Sequence, residues 1–150
     1  MTRFARIVAS TKKRWIYRAD RGDTWTWGRR VKRLVRGVLR YFYVGDCEDY
    51  CFRVIWRMEG GKKPAIQAIR DGKYVIWWSA QNGRDIDHAV VQCVKTGEYA
   101  EVIFGTAVET PNTGRKPPNG LGTIRVKREA SPHEVLFRLG VIQPTYPSEK

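Results

Sequence analysis

The spacing of apolar residues changes near Lys73, and this change constrains the fold more than any other feature. Before it, the apolar residues of segments 31–42 and 47–58 recur every three or four positions, as on one face of an α-helix. After it, residues 74–78 and 89–94 have the composition of buried strands bounded by turn residues. Helices are therefore predicted before Lys73 and strands after it.

The segment at residues 29–42, which is rich in Arg and Lys, is predicted to form a helix. Apolar residues between Val31 and Phe42 occupy one helical face, and cations occupy the other. We expect this cationic face to contact nucleic acid, an acidic protein or a membrane surface, although a solvated face without a ligand has the same pattern. The cations concerned are Arg29, Arg30, Lys32, Arg33, Arg36 and Arg40. Upstream, residues 3–9 and 14–17 alternate weakly and predict short strands, but the first could equally form a helical turn.

Charge is distributed unevenly along the 150 residues. The chain contains 28 Lys and Arg against 15 Asp and Glu, a formal net charge of +13. Residues 1–40 hold 13 of these cations and two acids, a net charge of +11, so the rest of the chain is nearly neutral. A polyanionic partner is one explanation of such asymmetry. A hydrophobic content of 42% excludes a disordered polybasic tail and suits one domain.

Turn and capping signals divide the middle of the chain. A helix is predicted over residues 47–59, opened by a capping box of Asp46 and Asp49 and ended by two glycines. Pro64 opens a short helix to residue 70, with a strand as the rival interpretation. Residues 89–94 and 99–104 form a hairpin closed by a tight turn from Lys95 to Glu98.

The carboxyl-terminal third is predicted to be less regular. A loop rich in Pro and Gly covers residues 111–122, and an edge strand covers 123–127. Ser131, Pro132 and Glu134 then mark a helix start, because they supply an N-cap, an N1 proline and an N3 acid. A polar tail follows from residue 143.

Cysteine usage and the absence of long apolar segments indicate the compartment. Cys47, Cys51 and Cys93 are too few for a disulfide framework and are not spaced as zinc ligands, so we expect reduced thiols, with Cys51 and Cys93 as buried apolar residues. The beginning of the chain lacks a secretory apolar stretch, and no segment reaches 18 apolar residues. We therefore expect no transmembrane segment and a cytoplasmic or virion location.

Cys47 occupies a position suited to a nucleophile. It lies in the first turn of a predicted helix, where unpaired N–H groups and the helix dipole lower a thiol pKa and can hold an oxyanion. The neighbouring acids Asp46 and Glu48 should point away, cap the helix or bind a cation. A general base must be His88 or His133, and His88 at the start of a strand can project toward the helix terminus, whereas His133 lies in a predicted helix cap.

The two short motifs that contain Cys47 and His88 resemble those of a known protein family. The segment Gly-Asp-Cys-Glu-Asp-Tyr at 45–50, followed by His-Ala-Val-Val at 88–91, resembles the signature of the bacterial transglutaminase-like cysteine peptidases. Upstream, Ile16-Tyr17 with Asp20, and Asp23 with Trp25, resemble the segment that precedes the cysteine motif in that family. The resemblance covers residues 15–104.

The resemblance implies an α+β fold of the papain-like, transglutaminase-like type, with the cysteine at the start of a helix packed on an antiparallel sheet. It makes Cys47 the nucleophile and His88 the base for acyl transfer or amide hydrolysis on a protein or peptide substrate. The family places an acid on the following strand, where this chain offers Glu101. Pairing Lys95 with Glu98 sets Glu101 opposite Gln92, roughly 13 Å from His88. Family members use acids beside the cysteine to bind calcium, which points to Asp46 and Glu48 here.

These observations lead to one interpretation and two rivals. The preferred interpretation is a single domain over 1–150, with a basic segment at 1–44, a Cys/His core at 45–105 and a loop, strand, helix and tail at 106–150. The chain departs from the family in its longer basic segment and in the absence of an aspartate at the end of the strand that follows the histidine strand. The first rival therefore keeps the fold without catalysis, as a basic structural or nucleic-acid-binding module of a phage particle. The second is a nucleic-acid-binding α+β domain in which the cysteine motif is accidental.

Overall fold

Four helices and two sheets make up the described part of the chain, a computed structural model in which residues 2–18, 25–81, 86–102 and 124–142 are described. The helices are α1 (Arg3–Lys13), α2 (Cys47–Glu59), α3 (Lys62–Arg70) and α4 (Pro132–Arg138). The strands are β1 (Trp15–Tyr17), β2 (Arg29–Val35), β3 (Val38–Gly45), β4 (Tyr74–Gln81), β5 (Ile86–Cys93), β6 (Tyr99–Ala100) and β7 (Ile124–Ala130). The α+β class is confirmed.

The larger sheet is antiparallel, with strand order β6-β5-β4-β7. Its β7 is an edge strand, as predicted. One face packs under α2 and contributes Trp78, Ala89 and Val91 to the main core, while Trp77 and Val90 belong to a separate cluster on the other face. The two adjacent tryptophans therefore lie on opposite faces, as strand alternation requires.

The smaller sheet corrects the prediction of a basic helix. Residues 29–45 form the antiparallel hairpin β2–β3, and β1 pairs with β3 in parallel. Arg36 and Gly37 make the turn, with φ of 50° and 79°. The two-residue turn interrupts the alternation of the strands. As a result, apolar residues on β2 and β3 lie three or four positions apart in the sequence, which is also the spacing of one helical face. The run of β-branched and aromatic residues over 38–44 favours a strand.

Most of the other element predictions agree with the structure. Residues 3–13 are helical, so the helical alternative for the first segment is correct, and residues 15–17 form the predicted strand. α2 has the predicted bounds, and α3 begins two residues earlier than predicted, which excludes the strand alternative. The side chain of Ser131 caps α4 by accepting from the N–H of Glu134.

Several predictions lie outside the described residues. These are the loop at 111–122, the tail from 143, the end of the second hairpin beyond Val102, and Asp20 and Asp23 of the upstream motif. Among the described residues, no helix is long and apolar enough to cross a membrane.

Candidate active site

The capping box fixes the amino terminus of α2, as predicted. Oδ1 of Asp46 accepts a hydrogen bond from the N–H of Asp49 at 3.3 Å, and Oδ2 of Asp49 accepts from the N–H of Asp46 at 3.1 Å. Oδ1 of Asp49 also accepts from the N–H of Thr26 at 2.9 Å. The buried Asp49 therefore ties the start of the helix to the segment before β2.

Gly45 is required by the close approach of Asp49. A Cβ atom at position 45 would lie 2.6 Å from both Cβ and Oδ2 of Asp49, closer than real Cβ contacts allow. The glycine that begins the cysteine motif thus leaves room for the carboxylate that caps the helix.

The first turn of α2 lies against an unpaired edge of β5. The N–H of Cys93 donates to the carbonyl of Glu98, so alternate residues, including Ala89, point their backbone groups toward β6. Because β6 ends at Ala100, opposite Val91, it does not reach Ala89. Helix α2 occupies this position instead.

Two cysteines one helical turn apart satisfy the backbone of Ala89. The thiol of Cys51 donates to the carbonyl of Ala89 at an S–O distance of 3.6 Å. The N–H of Ala89 donates to the sulfur of Cys47. The structure therefore places the sulfur of Cys47 beside the residue that follows His88.

His88 and Glu101 form a buried pair. Nε2 of His88 lies 2.8 Å from Oε2 of Glu101, and the two side chains are 6% and 0% exposed. This contact leaves Nδ1 as the ring nitrogen with which a cysteine thiol can exchange a proton. His133, the other histidine, is exposed on α4.

The pairing register of β5 and β6 explains this contact and corrects the predicted separation of 13 Å. Tyr99 pairs with Gln92, so the same register sets Glu101 opposite Val90, two residues nearer to His88 than predicted. The prediction assumed that the tight turn began after Lys95. The hairpin instead closes between Cys93 and Glu98, which places four residues in the loop.

His88 lies on a different sheet face from the helix. Strand alternation places it with Val90 and Gln92, whereas Ala89 and Val91 face the core under α2. The predicted projection of the ring onto the helix side is therefore not observed.

The local environment raises the pKa of the Cys47 thiol. Burial is the main cause, and the charge of Glu48 adds to it. The prediction of a lowered pKa at the helix terminus is therefore wrong, because the desolvation of a side chain that is only 4% exposed outweighs the dipole. A Cys47 nucleophile thus needs a base that removes its proton.

The acids beside the cysteine interact with each other. Burial and a hydrogen bond with Glu48 raise the pKa of Asp46 to about 7. Calcium takes six to eight oxygen ligands, and no group of three or more acidic, histidine or cysteine side chains suited to a metal occurs among the described residues. The calcium site at Asp46 and Glu48 stays a prediction.

Arg53 is a site-supporting residue that the sequence did not reveal. Its Nε donates to the carbonyl of Trp27 at 2.6 Å, and a terminal nitrogen donates to that of Gly28 at 2.7 Å. Its guanidinium also stacks on the rings of Tyr43 and Trp56. The residue holds the segment before β2 against α2, and only its helical spacing from Tyr50 hinted at burial.

Comparison with known proteins gives no assignment. No protein-family model, curated protein or solved structure matches this chain significantly.

Proposed function

We propose that this chain is a transglutaminase-like cysteine peptidase or amidase. Cys47 is the nucleophile, His88 the general base and Glu101 the acid that orients the imidazole. The fold is then papain-like, with the cysteine helix beginning at the edge of the histidine strand. The substrate is an amide of a protein or peptide.

The observation that carries this proposal is the buried pair of His88 and Glu101 on the strand that contacts Cys47. Burying a carboxylate costs free energy, and a hydrogen-bonded cationic or donor partner offsets this cost. A purely structural pair would serve the same purpose anywhere in the core. Here the pair is one residue away from Ala89, whose N–H donates to the sulfur of Cys47.

The reaction begins with proton transfer, because the raised pKa keeps Cys47 as a thiol. Nδ1 of His88 accepts the thiol proton as sulfur attacks the amide carbon, while Glu101 accepts a hydrogen bond from the Nε2–H and stabilises the imidazolium. The positive end of α2 favours the oxyanion. The amine leaves with the proton from His88, and an acyl-thioester remains on Cys47.

The thioester is then resolved by water or by an amine. In hydrolysis His88 takes a proton from water, the C–S bond breaks, and the thiol recovers its proton. An amine in place of water gives a new amide. Hydrolysis and transamidation therefore use the same Cys47, His88 and Glu101.

The test is the rate at which iodoacetamide alkylates each cysteine, measured by peptide mass spectrometry between pH 6 and 9. Alkylation of Cys47 should rise with pH and fall by at least tenfold in His88→Ala, because the base is lost. His133→Ala is the matched control and should leave the rate unchanged.

Two further comparisons distinguish a base-activated Cys47 from a thiol that is merely accessible to the reagent. Cys51 and Cys93 are also buried, so slow alkylation of all three thiols, unaffected by His88→Ala, would exclude the enzyme and favour the non-catalytic rival. Turnover of a fluorogenic peptide library should disappear in Cys47→Ser and persist in Cys93→Ser.

A further inference from the structure

The distal part of the β2–β3 hairpin, residues 32–41, extends away from the core. From Lys32 to Tyr41 every residue except Val35 is exposed. The tip is apolar, since Leu34, Val38 and Leu39 are 69%, 53% and 66% exposed. Exposed aliphatic residues grouped at the end of a hairpin mark a contact surface rather than a solvated one.

The same hairpin carries only positive charge. Its six cations are accompanied by no Asp or Glu anywhere between residues 25 and 45. The guanidinium of Arg30 lies 4.4 Å from the centre of the Tyr41 ring, and the ammonium of Lys32 lies 5.3 Å from it. A partner of complementary charge is therefore a polyanion.

The cations occupy both faces of the hairpin. The strand register puts Arg30 and Lys32 on one face, with Tyr41 and Leu39. It puts Arg33 opposite Arg40 on the other face, so two like charges adjoin directly. Adjacent like charges are destabilising across a strand pair unless an anion lies between them.

A flat anionic surface cannot contact both faces at once, whereas a groove between two phosphate backbones can. Arg36 stands at the apex of the turn, where insertion into a lipid bilayer would desolvate it. The major groove of B-DNA, about 12 Å wide, admits a two-stranded ribbon, and the deep narrow major groove of A-form RNA does not.

We infer that the hairpin docks in the major groove of duplex DNA. Arg30 and Lys32 contact one phosphate backbone, and Arg33 and Arg40 contact the other. The apolar tip meets base edges and thymine methyl groups. This surface is separate from the cysteine site and does not depend on the proposed peptidase activity.

Fluorescence anisotropy with a 16-base-pair DNA duplex tests the inference. With four phosphate contacts the affinity should fall about 10²-fold between 50 and 200 mM NaCl. The double variant Arg33→Gln/Arg40→Gln should lower the slope of log affinity against log salt by about 1.8. Lys62→Gln/Lys63→Gln removes the same charge from exposed sites on α3 and should leave the slope unchanged.

Two further variants test the contributions of the turn and the apolar tip to DNA binding separately from that of the strand cations. Arg36→Asn suits the positive φ of the turn and removes the apex charge, so it should weaken binding without unfolding the hairpin. Leu34→Ser/Leu39→Ser should weaken binding while keeping the salt slope. Circular dichroism and urea unfolding verify that each variant is folded.

The comparison ligands are a 16-base-pair RNA duplex and vesicles of phosphatidylglycerol and phosphatidylcholine. Tighter binding of either than of DNA would overturn the inference, as would equal loss of DNA affinity in the α3 control. Absence of DNA binding at 50 mM NaCl would also overturn it. Cys47→Ser should keep DNA binding, and the hairpin variants should keep alkylation of Cys47, so the two proposals can fail independently.

Discussion

The carboxylate of Glu101 lies 2.8 Å from Nε2 of His88, and both side chains are buried. The two residues come from neighbouring antiparallel strands, and their contact depends on the four-residue loop that sets the register of β5 and β6. A loop two residues shorter would move Glu101 along the strand and separate them. The length of this hairpin therefore decides whether the strand carries an oriented imidazole.

Replacing Glu101 tests its role as a positioning residue. Glu101→Leu removes the acceptor, so alkylation of Cys47 and any peptide turnover should fall about 10²-fold. Glu101→Gln keeps an acceptor oxygen and should recover activity to within about tenfold of the parent. Equal rates in the parent and the leucine variant would contradict the proposed role.

The same pair predicts an effect on stability. His88→Ala removes the imidazole that contacts the buried Glu101 carboxylate and should lower the free energy of unfolding by about 3–5 kcal/mol. The double variant His88→Ala/Glu101→Leu removes the buried carboxylate as well and should recover part of this loss. Urea unfolding of the parent and three variants gives the coupling energy, and additive losses would show that the contact stabilises nothing.

The elements with strong local signals could be predicted from sequence. The Asp46 and Asp49 capping box fixed the start of α2, and Ser131 with Pro132 fixed that of α4. The basic hairpin could not be distinguished from a helix, because a two-residue turn within an apolar pattern preserves spacings of three and four. Pairing between β2 and β3 overrides that local pattern.

The candidate site was predictable in its residue types but not in its geometry. The motif resemblance singled out Cys47 and His88 as candidates, whereas their environment depends on long-range packing. The register that brings Glu101 to His88 follows from the loop conformation, and the raised pKa of Cys47 follows from burial. Neither can be read from residue spacing.

Gly45→Ala tests the packing beneath the cysteine motif. The added Cβ would displace the Asp49 carboxylate and weaken its bonds to the N–H groups of Asp46 and Thr26. The free energy of unfolding should fall by about 1–3 kcal/mol, and alkylation of Cys47 should change with it. Gly60→Ala, with nothing within 4 Å but a positive φ, is a control for backbone strain alone, since it should lower stability while leaving the alkylation rate of Cys47 unchanged.

Stability should depend on pH through Asp46. Burial and Glu48 raise its pKa from 3.8 to about 7, so the folded state binds this proton more tightly than the unfolded state. The stabilisation of the folded state that comes from this tighter proton binding is complete below pH 3.8 and is lost as the pH rises through 7. Asp46→Asn keeps a good N-cap without titrating.

The measurement is urea unfolding of the parent and Asp46→Asn at pH 5 and pH 8. The parent should lose stability relative to the variant at the higher pH. Glu48→Gln should reduce this dependence, because it removes the neighbouring charge. Asp71→Asn, at an exposed position, is the control. If the parent instead gained stability relative to Asp46→Asn between pH 5 and pH 8, the predicted direction of the pH dependence would be wrong.

Arg53 should be among the largest single contributors to stability outside the apolar core. Arg53→Ala leaves the carbonyls of Trp27 and Gly28 without their donor and removes the contacts with Tyr43 and Trp56, so the free energy of unfolding should fall by about 2–4 kcal/mol. Arg53→Lys cannot reproduce two bonds from one planar group and should recover less than half of the loss. Arg70→Ala, at an exposed position on α3, should change stability by less than about 0.5 kcal/mol. Full recovery by lysine in urea unfolding would show that charge, rather than the paired hydrogen bonds, holds the segment against α2.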